Sequence, residues 1–173
     1  YPQTVNAYYS PVMNEIVFPA AILQPPFFDM NADDAVNYGA IGVVIGHEIT
    51  HGFDDQGRQY NKDGNLQNWW TSEDSLRFTE YTKLLVDQFN SFEMLPGKFV
   101  NGSLTLGENL ADYGGLTISV HAFQKVLQAQ GEGADKKEID GFTPLQRFFL
   151  AYAKVWRNLT RPEEMARRLV EDV

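Results

Sequence analysis

The most distinctive stretch of the chain is GHEITHGFDD, at residues 46–55. It holds two of the three histidines of the chain, four residues apart, with a glutamate directly after the first. On a helix of ~100° per residue, His47 and His51 face the same side, ~40° apart, and Glu48 lies ~60° from His51. Two such imidazoles can bind Zn²⁺, with the glutamate beside the metal as a base for water. The alternative is an ordinary helix face with two hydrogen-bonded histidines.

A catalytic zinc site uses three protein ligands and leaves a fourth position for water. The third histidine, His121, lies in a helical pattern with no acidic residue four positions away, which is typical of a partly solvated helix face. The segment GENLADYGG offers a better ligand, because Glu108 and Asp112 share a helix face. Glu108 can be the third ligand, and Asp112 can accept the N–H of a ligating histidine. A solvated acidic face is the alternative, although neighbouring leucines and the pair Gly114-Gly115 favour a packed setting.

Composition limits the classes of protein to which the chain can belong. Its 173 residues suffice for one domain with a hydrophobic core. The net charge of −9 argues against a nucleic-acid surface, which needs clustered Lys and Arg. Without cysteine, neither disulfides nor thiolate metal sites can form, so a metal must be bound by His, Asp and Glu. No apolar run approaches the ~18 residues of a membrane span, so we expect no membrane contact.

Helices must position these side chains. We predict two short strands at 5–9 and 15–18, then a helix capped by Asp33 or Asp34 with its body at 35–53. Further helices are predicted over 71–92, opened by a capping box, and over 105–130, ended by Gly131. A loop is expected at 95–103 and a tight turn at 62–65. The last two helices are predicted at 143–158 and from 160 or 162 to the end of the chain.

In five separate motifs the chain resembles the neprilysin and endothelin-converting-enzyme family of zinc endopeptidases. The motifs occur in order over almost the whole chain: VNAYYSP, FPAAILQPPFF, GHEITHGFDDQGRQYNKDGNL, LGENLADYGG and FFLAYAKVWRNLTRPE. The resemblance implies a mostly helical α+β domain of the zincin-like (gluzincin) type, with a small β element near its N-terminus. It also implies one Zn²⁺ per chain and hydrolysis of peptides on the N-terminal side of large hydrophobic residues.

The resemblance assigns roles to individual residues. His47, His51 and Glu108 match the zinc ligands, Glu48 the catalytic base, and Asp112 the carboxylate that orients a ligand. Asn6 and Ala7 match the edge that binds the substrate backbone. Six apolar residues match the family's hydrophobic pocket for the residue after the scissile bond: Ile22, Phe27, Val43, Val44, Val155 and Trp156. For these six residues, plain core packing is the alternative. Asp54 and Asp55 fit either support of His51 or turn chemistry.

The chain departs from the family pattern at both ends. A histidine and an arginine that stabilise the transition state in the family are expected beyond Val173, and so is a covering N-terminal helical domain before residue 1. We therefore expect residues 1–173 to be a truncated C-terminal catalytic domain. Its partners would be peptide substrates and that missing domain of the same polypeptide. Lack of cysteine suggests a bacterial relative, and the resemblance implies an extracytoplasmic location. The rival functions are a non-catalytic zinc- or peptide-binding module and a purely structural zinc site.

Overall fold

Two helices that pack side by side form the centre of the fold. In this computed structural model, which describes residues 1–171, they are α2 (Val43–His51) and α4 (Leu106–Gln130). The helices α1 (Asp34–Asn37) and α5 (Pro144–Val155) pack beside them, whereas α3 (Ser72–Asn90) and α6 (Pro162–Arg168) lie further out. Two small hairpins complete the order, and the predicted mostly helical α+β fold is confirmed. Within the described residues, no helix has the length and apolarity needed to cross a membrane.

Two glycines set the distance between α2 and α4. A Cβ on Gly46 would lie 2.8 Å from the Cα of Gly115, and a Cβ on Gly115 would lie 2.6 Å from the backbone nitrogen of His47. Real Cβ atoms do not approach other atoms so closely, so any larger residue would push the helices apart. The backbones therefore touch at the level of His47, and the N-terminal part of α4 is brought beside the histidine-bearing helix.

The first hairpin is shorter than the sequence indicates. β1 (Tyr8–Ser10) pairs antiparallel with β2 (Glu15–Val17), with Tyr8 opposite Val17. The predicted strand at 5–9 thus begins three residues late, and that at 15–18 ends one residue early. In this register Asn6 would lie opposite Pro19, which has no backbone N–H to donate, and a 3-10 turn follows at Ala20–Ile22. Residues 5–7 consequently precede the ladder without regular secondary structure.

The predicted helix over 35–53 is interrupted by a π-helical turn at Tyr38–Gly42. Asp33 caps its start, because its side chain accepts the N–H of Ala35 at 2.7 Å. Inside the π turn, the Ile41 N–H donates to the carbonyl of Phe27 at 3.0 Å. The Ser119 hydroxyl of α4 donates to the carbonyl of Tyr38 at 2.6 Å. The extra residue of the turn is therefore stabilised by partners on both sides.

The main core lies beneath α1, α4 and α5. Its buried side chains are Ala35, Val43, Phe123, Leu127 and Phe148. Arg147 closes this side, because its guanidinium donates to Asp33 at 2.9 Å and to the carbonyl of Phe142 at 2.6 Å. The cap of α1, the connection before α5 and α5 itself are thereby tied together.

Several predicted boundaries need correction. Thr71 caps α3 as expected, but α3 ends at Asn90, and a hairpin of β3 (Glu93–Leu95) and β4 (Lys98–Phe99) enters the predicted loop at 95–103. Gly131 ends α4 as predicted, with φ of 102°. The helix predicted to 158 ends at Val155. The last helix, predicted to reach Val173, ends at Arg168, while residues 172–173 lie outside the described part.

Candidate metal centre

Three side-chain donors converge where α2 meets the start of α4. The Nε2 atoms of His47 and His51 are 2.9 Å apart. The carboxylate of Glu108 lies 3.3 Å from the first of these nitrogens and 3.7 Å from the second. Bonds of about 2.0–2.1 Å to a tetrahedral zinc ion require donors about 3.3–3.4 Å apart. The three separations bracket that value, so these residues fit a zinc ion with little movement.

Each imidazole is held by a carboxylate on its other side. Nδ1 of His47 donates to Asp112 at 2.9 Å, and Nδ1 of His51 donates to Asp54 at 2.7 Å. A carboxylate only accepts, so both Nδ1 atoms carry a proton, and in the neutral form of the imidazoles both Nε2 atoms offer a lone pair. Two such lone pairs 2.9 Å apart repel unless a proton or a metal ion lies between them. The hydrogen bonds therefore prepare the pair to bind a metal.

The charges around the histidines favour a cation. Burial lowers the pKa of His47, but the hydrogen bonds to Asp112 and Glu108 outweigh burial and raise this pKa to about 10. The pKa of His51 is also raised, because the hydrogen bond to Asp54 and the charge of Glu108 outweigh burial. The hydrogen bond from His47 lowers the pKa of Glu108. The site thus stabilises positive charge, from a proton or from a metal ion.

Glu48 lies next to the donors and is 5% exposed. Burial raises its pKa above the ordinary value, while the charges of His47 and His51 act in the opposite direction. Its carboxylate is also within 4.8 Å of both histidine donors, so Glu48 is an alternative to Glu108 as the third ligand. We favour Glu108, whose oxygens already lie at ligand-to-ligand distance from both Nε2 atoms. A buried carboxylate with a raised pKa is suited to accept a proton.

The donors lie in a cleft of about 720 Å³. Six of the eight predicted substrate-binding residues line it together with the donors: Asn6, Ala7, Ile22, Phe27, Val44 and Trp156. Ala7, Ile22 and Val44 are buried and form a small apolar cluster with Ile41, against which Phe27 packs. Trp156 is 47% exposed at the rim. The cleft therefore combines the three convergent donors, the buried carboxylate of Glu48 and an apolar wall.

Two predicted substrate-binding residues lie elsewhere. Val43 is 1% exposed and packs in the main core against Phe123 and Phe148, because it is ~100° round the helix from Val44. Val155 is half-buried at the end of α5 and is not among the described residues that line the cleft. For Val43, core packing, the alternative that the sequence left open, therefore accounts for its position. His121 is exposed on α4, as its sequence context indicates.

Asp54 has a larger part in the site than the sequence showed. One oxygen accepts from the N–H groups of Gln56 at 2.8 Å and Gly57 at 2.6 Å, and the other accepts from His51. The residue is 5% exposed. Both alternatives for Asp54 therefore apply, since it caps the turn after α2 and orients a histidine. A carboxylate three residues after the second histidine was the available signal.

Asp54→Asn is expected to weaken zinc binding about 10–100-fold, because an amide orients and polarises the imidazole less than a carboxylate. The zinc dissociation constant, measured by competition with a chromophoric chelator, checks this. Asp55→Asn is the matched control, because the Asp55 carboxylate accepts from Gln56 and makes no hydrogen bond to a histidine. Equal affinities of Asp54→Asn and the unmodified protein would contradict the role of Asp54.

Comparisons with known proteins point to one family. The model of peptidase family M13 matches residues 6–173. Rat endothelin-converting enzyme 1 is 47% identical over 171 residues, and Drosophila melanogaster neprilysin-3 is 46% identical. Each match covers 99% of this chain but 22% of the relative. The chain therefore spans less than a quarter of the length of these relatives.

Solved structures agree in fold. Zinc metalloprotease Zmp1 of Mycobacterium tuberculosis, in complex with an inhibitor, superposes with a TM-score of 0.91 at 53% identity. That match covers 97% of this chain and 26% of the Zmp1 chain. PepO from Lactobacillus rhamnosis superposes with a TM-score of 0.82 at 38% identity, over 98% of this chain and 25% of its own.

Proposed function

Because the chain belongs to peptidase family M13, we propose that it forms the catalytic part of a zinc-dependent metalloendopeptidase. The observation that carries the proposal is the convergence of His47, His51 and Glu108 beside the buried Glu48, in an open cleft. Zinc bound by those three residues would supply a Lewis acid for the scissile carbonyl and lower the pKa of water toward ~7.

Glu48 is the proposed general base. Its carboxylate accepts a proton from the attacking water as the oxygen bonds to the carbonyl carbon. It then donates that proton to the amide nitrogen, so that the C–N bond breaks and an amine leaves. Burial raises the pKa of Glu48, which makes its carboxylate a stronger base than an exposed one. The same burial keeps bulk water from competing for the proton.

Asn6 and Ala7 are proposed to bind the substrate backbone. They directly precede β1, lie outside the β1–β2 ladder, and both line the cleft. A peptide in extended form can add to such an edge through backbone hydrogen bonds. Because β1 continues directly from Ala7, the peptide would run alongside the metal donors and Glu48.

Specificity is proposed to come from the apolar wall of the cleft. Ile22 and Val44 are buried, Phe27 packs against them, and Trp156 provides an exposed aromatic edge. We infer cleavage on the N-terminal side of large hydrophobic residues, whose side chains would bury apolar area against this wall. Burying an aromatic or leucine side chain contributes about 1.5–3 kcal/mol, which corresponds to about 10–100-fold in kcat/KM over alanine.

A peptide series in the full-length protein tests this specificity. Peptides that differ only in the residue after the scissile bond should be cleaved about 10–100-fold faster, as kcat/KM, with Phe or Leu than with Ala. Trp156→Ala should reduce the ratio of kcat/KM between the Phe or Leu peptides and the Ala peptide. Trp69→Ala, which removes a half-exposed tryptophan outside the cleft, should leave this ratio unchanged. Mass spectrometry of the products locates the cut. Cuts on the C-terminal side of the hydrophobic residue, or no preference, would contradict the proposal.

The proposed partners are peptide substrates and further domains of the same polypeptide that cover the cleft. The relatives that this chain matches are more than four times as long as the matched part, which leaves room for such domains. An extracytoplasmic location is proposed by analogy with the neprilysin and endothelin-converting-enzyme relatives. The rival functions have less support, because a structural or merely binding zinc site has no use for a buried carboxylate beside the metal donors.

A further inference from the structure

The tip of the first hairpin contacts a distant turn of the chain. Asn14, in the hairpin turn, accepts the hydroxyl proton of Tyr9 at 3.0 Å. Its amide donates to the carbonyl of Lys62 at 3.2 Å, across 48 residues of sequence. Asn14 adopts φ of 49°, a left-handed conformation that asparagine tolerates better than most residues. One side chain therefore connects strand β1, the hairpin turn and the turn at 61–65.

Gly64 makes the second contact between these segments. It has φ of +75°, and a Cβ there would lie 1.8 Å from the carbonyl oxygen of Val12. The backbone of the 61–65 turn thus lies directly against the backbone of the hairpin tip. Only glycine satisfies both the conformation and the contact. We call the contacts of Asn14 and Gly64 the hairpin brace.

The turn at 61–65 is itself firmly held. The side-chain oxygen of Asn61 accepts the N–H groups of Asp63 and Asn65, each at 3.0 Å. The backbone N–H of Asn61 donates to the carbonyl of Asn65 at 2.9 Å, and that of Gly64 donates to the carbonyl of Asn61 at 3.0 Å. A turn closed by four hydrogen bonds gives the hairpin a stiff support.

The hairpin contacts the end of α2, where the Tyr9 hydroxyl lies against Gly52. Beside this contact, a cavity of about 620 Å³ lies between the hairpin, the end of α2 and the segment at 60–69. Ile16 of the hairpin, Ile49 and Phe53 near the end of α2, and Trp69 all face this space. Because side chains do not fill this space, the tip of the hairpin depends on the contacts at the rim of the cavity. The brace bridges that rim.

Tyr9 links the hairpin to the catalytic cleft. Its side chain lines both the cavity and the cleft, and its hydroxyl lies 3.3 Å from where a Cβ of Gly52 would be, directly after His51. Asn6 and Ala7, the proposed substrate edge, lie three and two residues before it. A shift of the hairpin would therefore move the substrate edge relative to Glu48 and the histidines.

We propose that Asn14 and Gly64 are positioning residues, which hold the edge at Asn6 and Ala7 at the right distance from the metal donors for an extended peptide. The inference rests on the proposed peptidase function. It predicts that loss of the brace impairs binding of the peptide backbone but spares the metal site. His47, His51 and Glu108 belong to α2 and α4, and their side chains are held by one another, by Asp54 and by Asp112.

The test uses Asn14→Gly in the full-length protein, because glycine keeps the left-handed conformation and removes only the side chain. KM for an extended peptide should rise about tenfold, from the loss of two hydrogen bonds, while kcat changes less than about twofold. A peptide hydroxamate should bind about tenfold more weakly, whereas acetohydroxamate, which contacts only the zinc, should bind unchanged. Zinc content should stay constant. Gly64→Ala should also raise KM and weaken binding of the peptide hydroxamate.

Asp140→Gly is the matched control. Asp140 also has positive φ, 53°, but lies exposed in the connection between α4 and α5. It should leave KM and both inhibitor affinities unchanged. If Asn14→Gly weakened the binding of both hydroxamates equally, the variant would have lost structure generally, and the positioning role would be overturned. An unchanged KM would also overturn the positioning role. Failure of the proposed function is distinguishable, because the unmodified protein would then lack zinc-dependent cleavage altogether.

Discussion

Glu48→Gln in the full-length protein is expected to lower kcat about 10²–10⁴-fold, while zinc content and peptide affinity stay close to those of the unmodified protein. The amide keeps the shape of the glutamate and can hydrogen-bond water, but it cannot accept a proton at neutral pH. Burial raises the pKa of Glu48, so its carboxylate is a stronger base than an exposed one. The variant lacks this base. No metal-to-ligand bond changes if Glu108 is the third ligand.

Steady-state kinetics and metal analysis on the same preparations check this result. Glu80→Gln is the matched control, because it makes the same change on an exposed position of α3 and should leave kcat unaltered. A near-normal kcat in Glu48→Gln would mean that another group accepts the proton. Loss of zinc in Glu48→Gln would instead identify Glu48 as a metal ligand.

Glu108→Ala is expected to remove zinc almost completely. The protein should fall from about one zinc per chain to near zero after purification, a loss greater than the 10–100-fold expected for residues that only orient a ligand. With two histidines alone, only half of a tetrahedral shell comes from the protein. Activity at ordinary zinc concentrations should disappear with the metal.

Metal analysis by atomic emission measures the zinc, and circular dichroism checks that the helices remain. Glu73→Ala is the matched control, because Glu73 also lies in the first turn of a helix but is remote from the cleft. Full zinc content in Glu108→Ala would remove Glu108 from the ligand set. Because Glu48 also lies within reach of both histidines, the outcome for Glu48→Gln would then decide between the two glutamates.

Side-chain spacing was sufficient to predict two pairs of residues that the structure brings together in the candidate metal centre. His47 and His51 share a face because helical periodicity places residues four apart together, and the same rule paired Glu108 with Asp112. The structure brings both pairs to one point, which depends on the close approach of α2 and α4 at Gly46 and Gly115. No local pattern specifies that approach, because it joins segments more than 60 residues apart.

Other features have no signal in local periodicity. A π turn adds one residue to a helix without changing its composition, so the interruption at 38–42 was not predicted. The hairpin of β3 and β4 has strands of three and two residues, too short for a period-two pattern. Val43 and Val44 are both apolar, and only their orientation separates a core residue from a cleft residue. Support of His51 was only one of two alternatives for Asp54, because an aspartate in a turn commonly hydrogen-bonds the backbone of the turn alone.

The π turn at 38–42 bears on how such a site could arise during evolution. Each residue rotates a helix by ~100°, so deletion of one residue from this turn would restore an unbroken α-helix and swing the two histidines away from Glu108. Conversely, a single codon inserted into an ancestral straight helix would turn that face toward α4 while α1 kept its packing in the core. The Phe27 carbonyl and the Ser119 hydroxyl would stabilise the insertion. Insertion of one codon would thus be enough to bring the two histidines and Glu108 together.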